Sequence, residues 1–149
     1  MRSYTYALVL LVAVLGLPGT MSSQTLQEQL TGSWTFDFQA SLNSTSQRSK
    51  THYNAMDPSR KTRVSNIYNN RKLTFNSDGT CIQELADGRT SQVTWNLTTD
   101  NKLRITAPNG RSILFMIRAL DASALLLEQV NTMGGNTNIL FTNWHLTKN

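Results

Sequence analysis

The residues of this chain that could move a proton, attack a carbonyl or hold a metal are few and scattered. Its single cysteine, Cys81, needs a positioned base to act as a nucleophile, and the two histidines, His52 and His145, lie far from it in sequence. Either histidine alone is a poor metal site, since zinc draws three or four protein ligands together. Asp78, Asp87, Asp100 and Asp121 stand where turns use a short acceptor side chain to close a backbone bend. Asp37 and Glu84 could meet only across a closed sheet. No glycine-rich phosphate loop, Cys-x-x-Cys, His-Glu-x-x-His or Gly-x-Ser-x-Gly motif occurs in the 149 residues. This inventory leads to the expectation of a non-enzymatic protein with no cofactor and no metal.

Two other residue groups could bind rather than react. Trp95 and Trp144 could stack on bases or sugars, but each is flanked by alternating apolar residues, as core or rim tryptophans are. Seven bases (Arg48, Lys50, Arg60, Lys61, Arg63, Arg71, Lys72) fall in one stretch with a single acid, Asp57, for a local charge of +6. The whole chain carries +5, so the rest, without Arg2, is left at −2. Such a segment suits an anionic ligand or membrane phosphate, or serves as a solvated face.

The start of the chain reads as an address. Arg2 precedes an apolar run from Ala7 to Leu17 that breaks at Pro18-Gly19, followed by the small residues Thr20 to Ser23. That run is shorter than the roughly 20 residues a membrane-spanning helix needs. Residues 1–23 are therefore expected to be a secretory signal peptide, cut near Ser22 or Ser23. No cysteine there could carry a lipid anchor. The mature protein is expected to be secreted or periplasmic, with no transmembrane segment, and export argues against a nucleic-acid partner. Residues 24–149 suit one domain. With one cysteine, no disulfide can form within the chain, so packing must hold it.

The elements that must position these residues are mostly strands. Turn signals recur from residue 77 onward: Ser77-Asp78-Gly79, Asp87-Gly88, Asp100-Asn101, Asn109-Gly110, Asp121 and Met133-Gly134-Gly135-Asn136. Between them, eight strands are predicted at about 33–39, 71–76, 80–86, 90–98, 102–107, 111–118, 124–130 and 138–147. Period-two alternation puts Trp34, Phe36 and Phe38 on one face, and likewise Leu73/Phe75, Val93/Trp95/Leu97, Leu103/Ile105 and Ile113/Phe115/Ile117. A long meander with one apolar face leaves two sticky edges unless it closes, which predicts an all-β, eight-stranded antiparallel up-and-down β-barrel. A two-sheet sandwich is the alternative. After the first strand, Asp57-Pro58 opens a helix over about 58–68 with Val64, Ile67 and Tyr68 on one face. A shorter helix is expected at about 46–55, giving a helical insert over about 46–69.

Gly32-Ser33-Trp34 on the first strand, followed by a meander, resembles the lipocalin and fatty-acid-binding barrels. "LTGSWTFDF", the Asp57-Pro58 insert, "LTFNSDGT", "VTWNL" and the terminal "NWHLTKN" resemble the small secreted lipocalin-like domains of bacteria over nearly all of the mature chain. The resemblance implies that Trp34 closes one end of the barrel, with Gly32 allowing close backbone approach. It also implies a cation over that indole from near the barrel's end, with Arg118 and Lys148 as candidates. The insert, by the same likeness, is a lid. The expected ligand is a small apolar or anionic amphipathic molecule, lined by Phe36, Phe38, Phe75, Trp95, Phe115, Ile67 and Tyr68. Arg60, Lys61 and Arg63 would then charge the portal. The alternative is a filled barrel serving as a structural or protein-interaction module at the cell envelope.

Overall fold

The computed structural model describes residues 25–130 and 140–149. The expected signal segment, the Met133–Asn136 turn and the first two residues of the predicted last strand lie outside the described residues. A short helix, α1 (Leu26–Leu30), precedes β1 (Gly32–Phe36), and three helices follow: α2 (Phe38–Ser44), α3 (Gln47–Asn54) and α4 (Pro58–Tyr68). The remaining strands are β2 (Lys72–Phe75), β3 (Thr80–Glu84), β4 (Thr90–Leu97), β5 (Lys102–Thr106), β6 (Ser112–Leu120), β7 (Ala124–Gln129) and β8 (Asn143–Lys148). Each pairs antiparallel with its sequence neighbours, and β1 pairs with β8 through Trp34↔Lys148 and Phe36↔Leu146, so the barrel closes. Closure, rather than a sandwich, leaves no free edge among these strands.

Alternation sets the inner face. Trp34 faces Leu73, Trp95 faces Ile105 and Leu103 faces Phe115 across the ladders. All six are buried, together with Phe36, Phe75, Cys81, Val93, Leu125, Leu127, Phe141, Trp144 and Leu146, in one continuous core.

Four hairpins share one turn. The bonds Asn76 N–H to Thr80 O, Leu85 to Arg89, Thr98 to Lys102 and Ala107 to Arg111 span 2.8–2.9 Å. In each, the fourth residue has positive φ: Gly79 (84°), Gly88 (81°), Asn101 (57°) and Gly110 (81°). This is the three-residue hairpin in which a type I turn is followed by a left-handed residue. Asp-Gly and Asn-Gly signals supply three of those conformations, and Asp100-Asn101 the other.

The first strand is shorter than its alternation predicts. β1 ends at Phe36, and the Asp37 side chain accepts from Ala40 N–H at 2.9 Å, capping α2. Phe38 therefore opens a helix instead of lining the wall, and its ring packs on Phe141 and Tyr53 at 5.3 and 5.9 Å. The predicted helix over 58–68 forms, capped by Asp57 with Pro58 in its first turn. The one over 46–55 forms as α3, capped by Ser46.

Candidate functional site

The two rims of the barrel differ in chemistry. At the first, where β1 begins, Trp34 is fully buried and its Nε1–H donates to Leu30 O of α1 at 2.8 Å. Lys148 Nζ lies 4.9 Å from the Trp34 ring centroid and donates to Gln29 O at 3.1 Å. Of the two cations that could cover this indole, the place goes to Lys148, while Arg118 pairs with Glu128 on the β6–β7 ladder. Gly32 sits under the lysine at φ 124°, where a Cβ would come within 3.1 Å of Lys148 Cε. This end is sealed by an indole, a helix and a lysine stem.

The second rim lies where β1 ends and α2 to α4 follow. Rings converge there: Phe36 is 5.6 Å from Tyr68, 5.3 Å from Phe141 and 5.4 Å from Trp144, and Phe115 is 5.1 Å from Trp144. Into this cluster comes Arg71, one step before Leu73 and Phe75 on the inner face of β2. Its Cζ stands 5.2 Å from the Trp144 centroid and 5.8 Å from that of Tyr68, both within cation–π range. Arg71 Nη2 donates to Gln83 Oε1, whereas Arg71 Nε is buried and has no hydrogen-bond partner among the described residues. No carboxylate pairs with this guanidinium among the described residues. Burial lowers its pKa from the ordinary arginine range, with Tyr68 and Cys81 offsetting part of that. The neighbouring Cys81 thiol is pushed up to about 12 by burial, so it is neutral at pH 7 and cannot balance the charge.

From Arg71 the inner face continues through Gln83 to Ser91, its partner across the β3–β4 ladder. Gln83 is half-buried and Ser91 exposed. Ile113, which belongs by alternation to the inner face of β6, ends at this rim 41% exposed. The second rim thus carries a half-buried cation, an amide, a hydroxyl and an uncovered apolar side chain.

The residues expected to line a ligand fall into three places. Phe36 and Phe115 belong to the aromatic cluster of the second rim. Phe75 and Trp95 pair at 5.2 Å, and Trp95 Nε1–H donates to Asn76 O at the first rim. Phe38 lies outside the barrel wall. Tyr68 joins the cluster from the end of α4, and Val64 also packs on the core, while Ile67 is half-buried. Among the portal bases, Arg60 pairs with its helix cap Asp57 at 3.3 Å, and Lys61 Nζ donates to Asn54 O at the end of α3 at 3.0 Å. Arg63 is exposed. By sequence, Arg71 belongs to the basic segment that suits an anionic ligand, membrane phosphate or a solvated face. Extending the alternation of Leu73 and Phe75 back by one step would have turned it inward.

Other chemistry is limited among the described residues. No three His, Cys, Asp or Glu side chains gather as a metal site. His145 Nε2 lies 3.0 Å from Ser44 Oγ, but that hydroxyl donates to Ser41 O at 3.1 Å, and His145 N–H donates to Ser41 Oγ. These bonds fasten α2 to β8. Two open clefts of about 370 and 310 Å³ lie beside Phe36, Asp37 and Asn70 and beside the Ser77–Gly79 turn; the first adjoins Arg71 through Phe36 and Asn70, and the Arg71 side chain lines neither. No family model, curated protein or solved structure matches the chain.

Proposed function

We propose that this chain is an exported, non-enzymatic, lipocalin-like barrel that binds a small apolar or amphipathic molecule at its second, helix-covered rim. The observation that carries the reading is the inequality of the two ends. The first is closed by Trp34, α1 and Lys148, with its indole and ammonium both hydrogen-bonded. The second keeps a half-buried cation whose buried Nε–H has no partner among the described residues, set against aromatic rings, and an exposed isoleucine elsewhere on the same rim. A buried polar group without a partner costs about 1–3 kcal/mol, more when charged. A core without a binding role would gain by an apolar residue at that position.

The filled barrel that acts as a structural or interaction module is the second reading, favoured by the continuous packing of the wall's inner face. An eight-stranded barrel is just wide enough to be filled by its own side chains or to hold one small ligand. Titration with a dansyl-labelled fatty acid separates the two. Saturable fluorescence enhancement, reversed by unlabelled fatty acid, is the expected result. No saturable signal at micromolar protein would favour the filled module. Export has its own check: mass spectrometry of the released protein should find a start between Ser22 and Thr25, and intact Met1 in the membrane fraction would contradict it.

A further inference from the structure

We infer that the larger cleft, on the outer wall of the barrel, is a site for a neutral oligosaccharide, read by the Asp37 carboxylate and the amides of Asn69 and Asn70. The cleft, of about 370 Å³, lies at the seam where β1 meets β8. Thr35 and Thr147 face each other across that seam. Trp34, Phe36 and Leu146 are buried on the inner face, so alternation puts both threonines outside. Asp37 and the half-buried Phe38 come to the cleft from the start of α2, and Asn69 and Asn70 from the turn that ends α4. A ligand reaches it from outside the wall, independently of the barrel's interior. Its volume falls near the lower end of the roughly 300–1,000 Å³ of small-molecule sites.

The chemistry of the lining selects hydroxyls. Among the described residues, no lysine or arginine lines the cleft. Lys72, the ladder partner of Thr35, is turned to Glu84 at 3.9 Å. Asp37 Oδ1 accepts from Ala40 N–H, which leaves Oδ2 open, and no cation pairs with this carboxylate among the described residues. Gln39 Nε2 donates to Asn43 Oδ1 at 3.0 Å, which leaves its Oε1 as an acceptor. The side chains of Asn69, Asn70 and Thr147 are exposed and have no hydrogen-bond partner among the described residues. Asn70 holds φ at 54°, a conformation glycine takes at no steric cost, so the backbone does not require its amide. An ionised carboxylate only accepts, while an amide and a hydroxyl both donate and accept. A ligand dense in hydroxyls can donate to Asp37 and Gln39 and accept from the two asparagines. An anionic ligand meets Asp37, and a cationic one meets the asparagine NH₂ groups. Phe38 supplies apolar surface for the C–H face of a sugar ring.

The test titrates the full mature chain with maltotriose, cellotriose, chitotriose and mannotriose, followed by saturation-transfer and nitrogen-15 correlation spectra. At least one should bind saturably and shift the side-chain amide signals of Asn69 and Asn70. Two variants separate recognition from folding. Asp37→Asn removes the charge and keeps the cap of α2, since asparagine caps as well as aspartate. Asn70→Gly removes the amide and keeps the left-handed backbone. The first should weaken binding about tenfold, as expected of a hydrogen bond to a charged group, and the second severalfold. Both should leave the melting temperature and the dansyl titration of the interior as they are in the unaltered chain. No saturable binding of any of the four sugars overturns the site. Binding that both variants retain in full places the sugar elsewhere and overturns the role of the cleft. Trigalacturonate binding as tightly as the neutral sugars overturns the assignment to a neutral ligand.

Discussion

Two cations over two tryptophans do opposite work in this molecule. Lys148 lies over Trp34 with its ammonium bonded to Gln29 O, so both its charge and its stem are used in closing the barrel. Arg71 lies over Trp144 with its buried Nε–H unpartnered among the described residues. Trp34→Ala removes a fully buried indole and its bond to Leu30 and should cost on the order of 3–5 kcal/mol in chemical denaturation, the range for large aromatic truncations. Cys81 gives a check on the barrel interior. Its thiol is buried and raised to about 12, so thiol reagents should leave the native protein unlabelled at pH 8 and modify it on unfolding. Labelling at the rate of a free thiol would mean that the barrel opens in solution. Trp34 was legible as a closing residue from Gly32-Ser33-Trp34. Arg71 was hidden because six other bases surround it in sequence, and composition does not distinguish an inward base from a solvated one.

Among the elements, the hairpins were the most legible and the helices the least. Asp-Gly and Asn-Gly pairs specify a left-handed residue by chemistry alone, and three of the four turns follow them, with Asn101 taking that place in the fourth. Gly88 and Gly110 have open space where a Cβ would stand, so substitution tests the backbone by itself. Gly88→Ala and Gly110→Ala should each lose about 1–2 kcal/mol, the cost of a left-handed residue with a Cβ, and Gly88→Asn should lose less. Turn acids add a pH dependence. In the β4–β5 turn, hydrogen bonds from Lys102 and Thr98 hold the Asp100 carboxyl at about 2, below its ordinary value. A depressed folded pKa contributes stability that is full above the unfolded value near 4 and is lost as pH falls through 2. The melting temperature should therefore fall across that window, and Asp100→Asn should flatten the decline. The end of β1 was misread because Trp34, Phe36 and Phe38 continue the strand period. Asp37, placed between the last two, caps α2 instead and overrides the alternation. No sequence period announced α1, which is only five residues long and is held by a capping box between Thr25 and Glu28.

At the scale of the whole molecule, closure follows from a continuous apolar face that no open sheet could cover, which is why barrel topology was readable from alternation alone. What alternation does not give is whether the interior is filled, because core and ligand-lining positions use the same aromatic residues. The distribution of polar groups between the two rims supplies that distinction. The chain has only three tryptophans, and they divide between the rims: Trp34 and Trp95 toward the first, Trp144 at the second beside Arg71. Each indole N–H gives a separate signal in a nitrogen-15 correlation spectrum. Titration of decanoate into the labelled mature chain is the most direct measurement of the account. It predicts that the Trp144 indole signal shifts saturably while those of Trp34 and Trp95 stay in place. Shifts centred on Trp34 or Trp95, or no saturable shift at any indole, would contradict it.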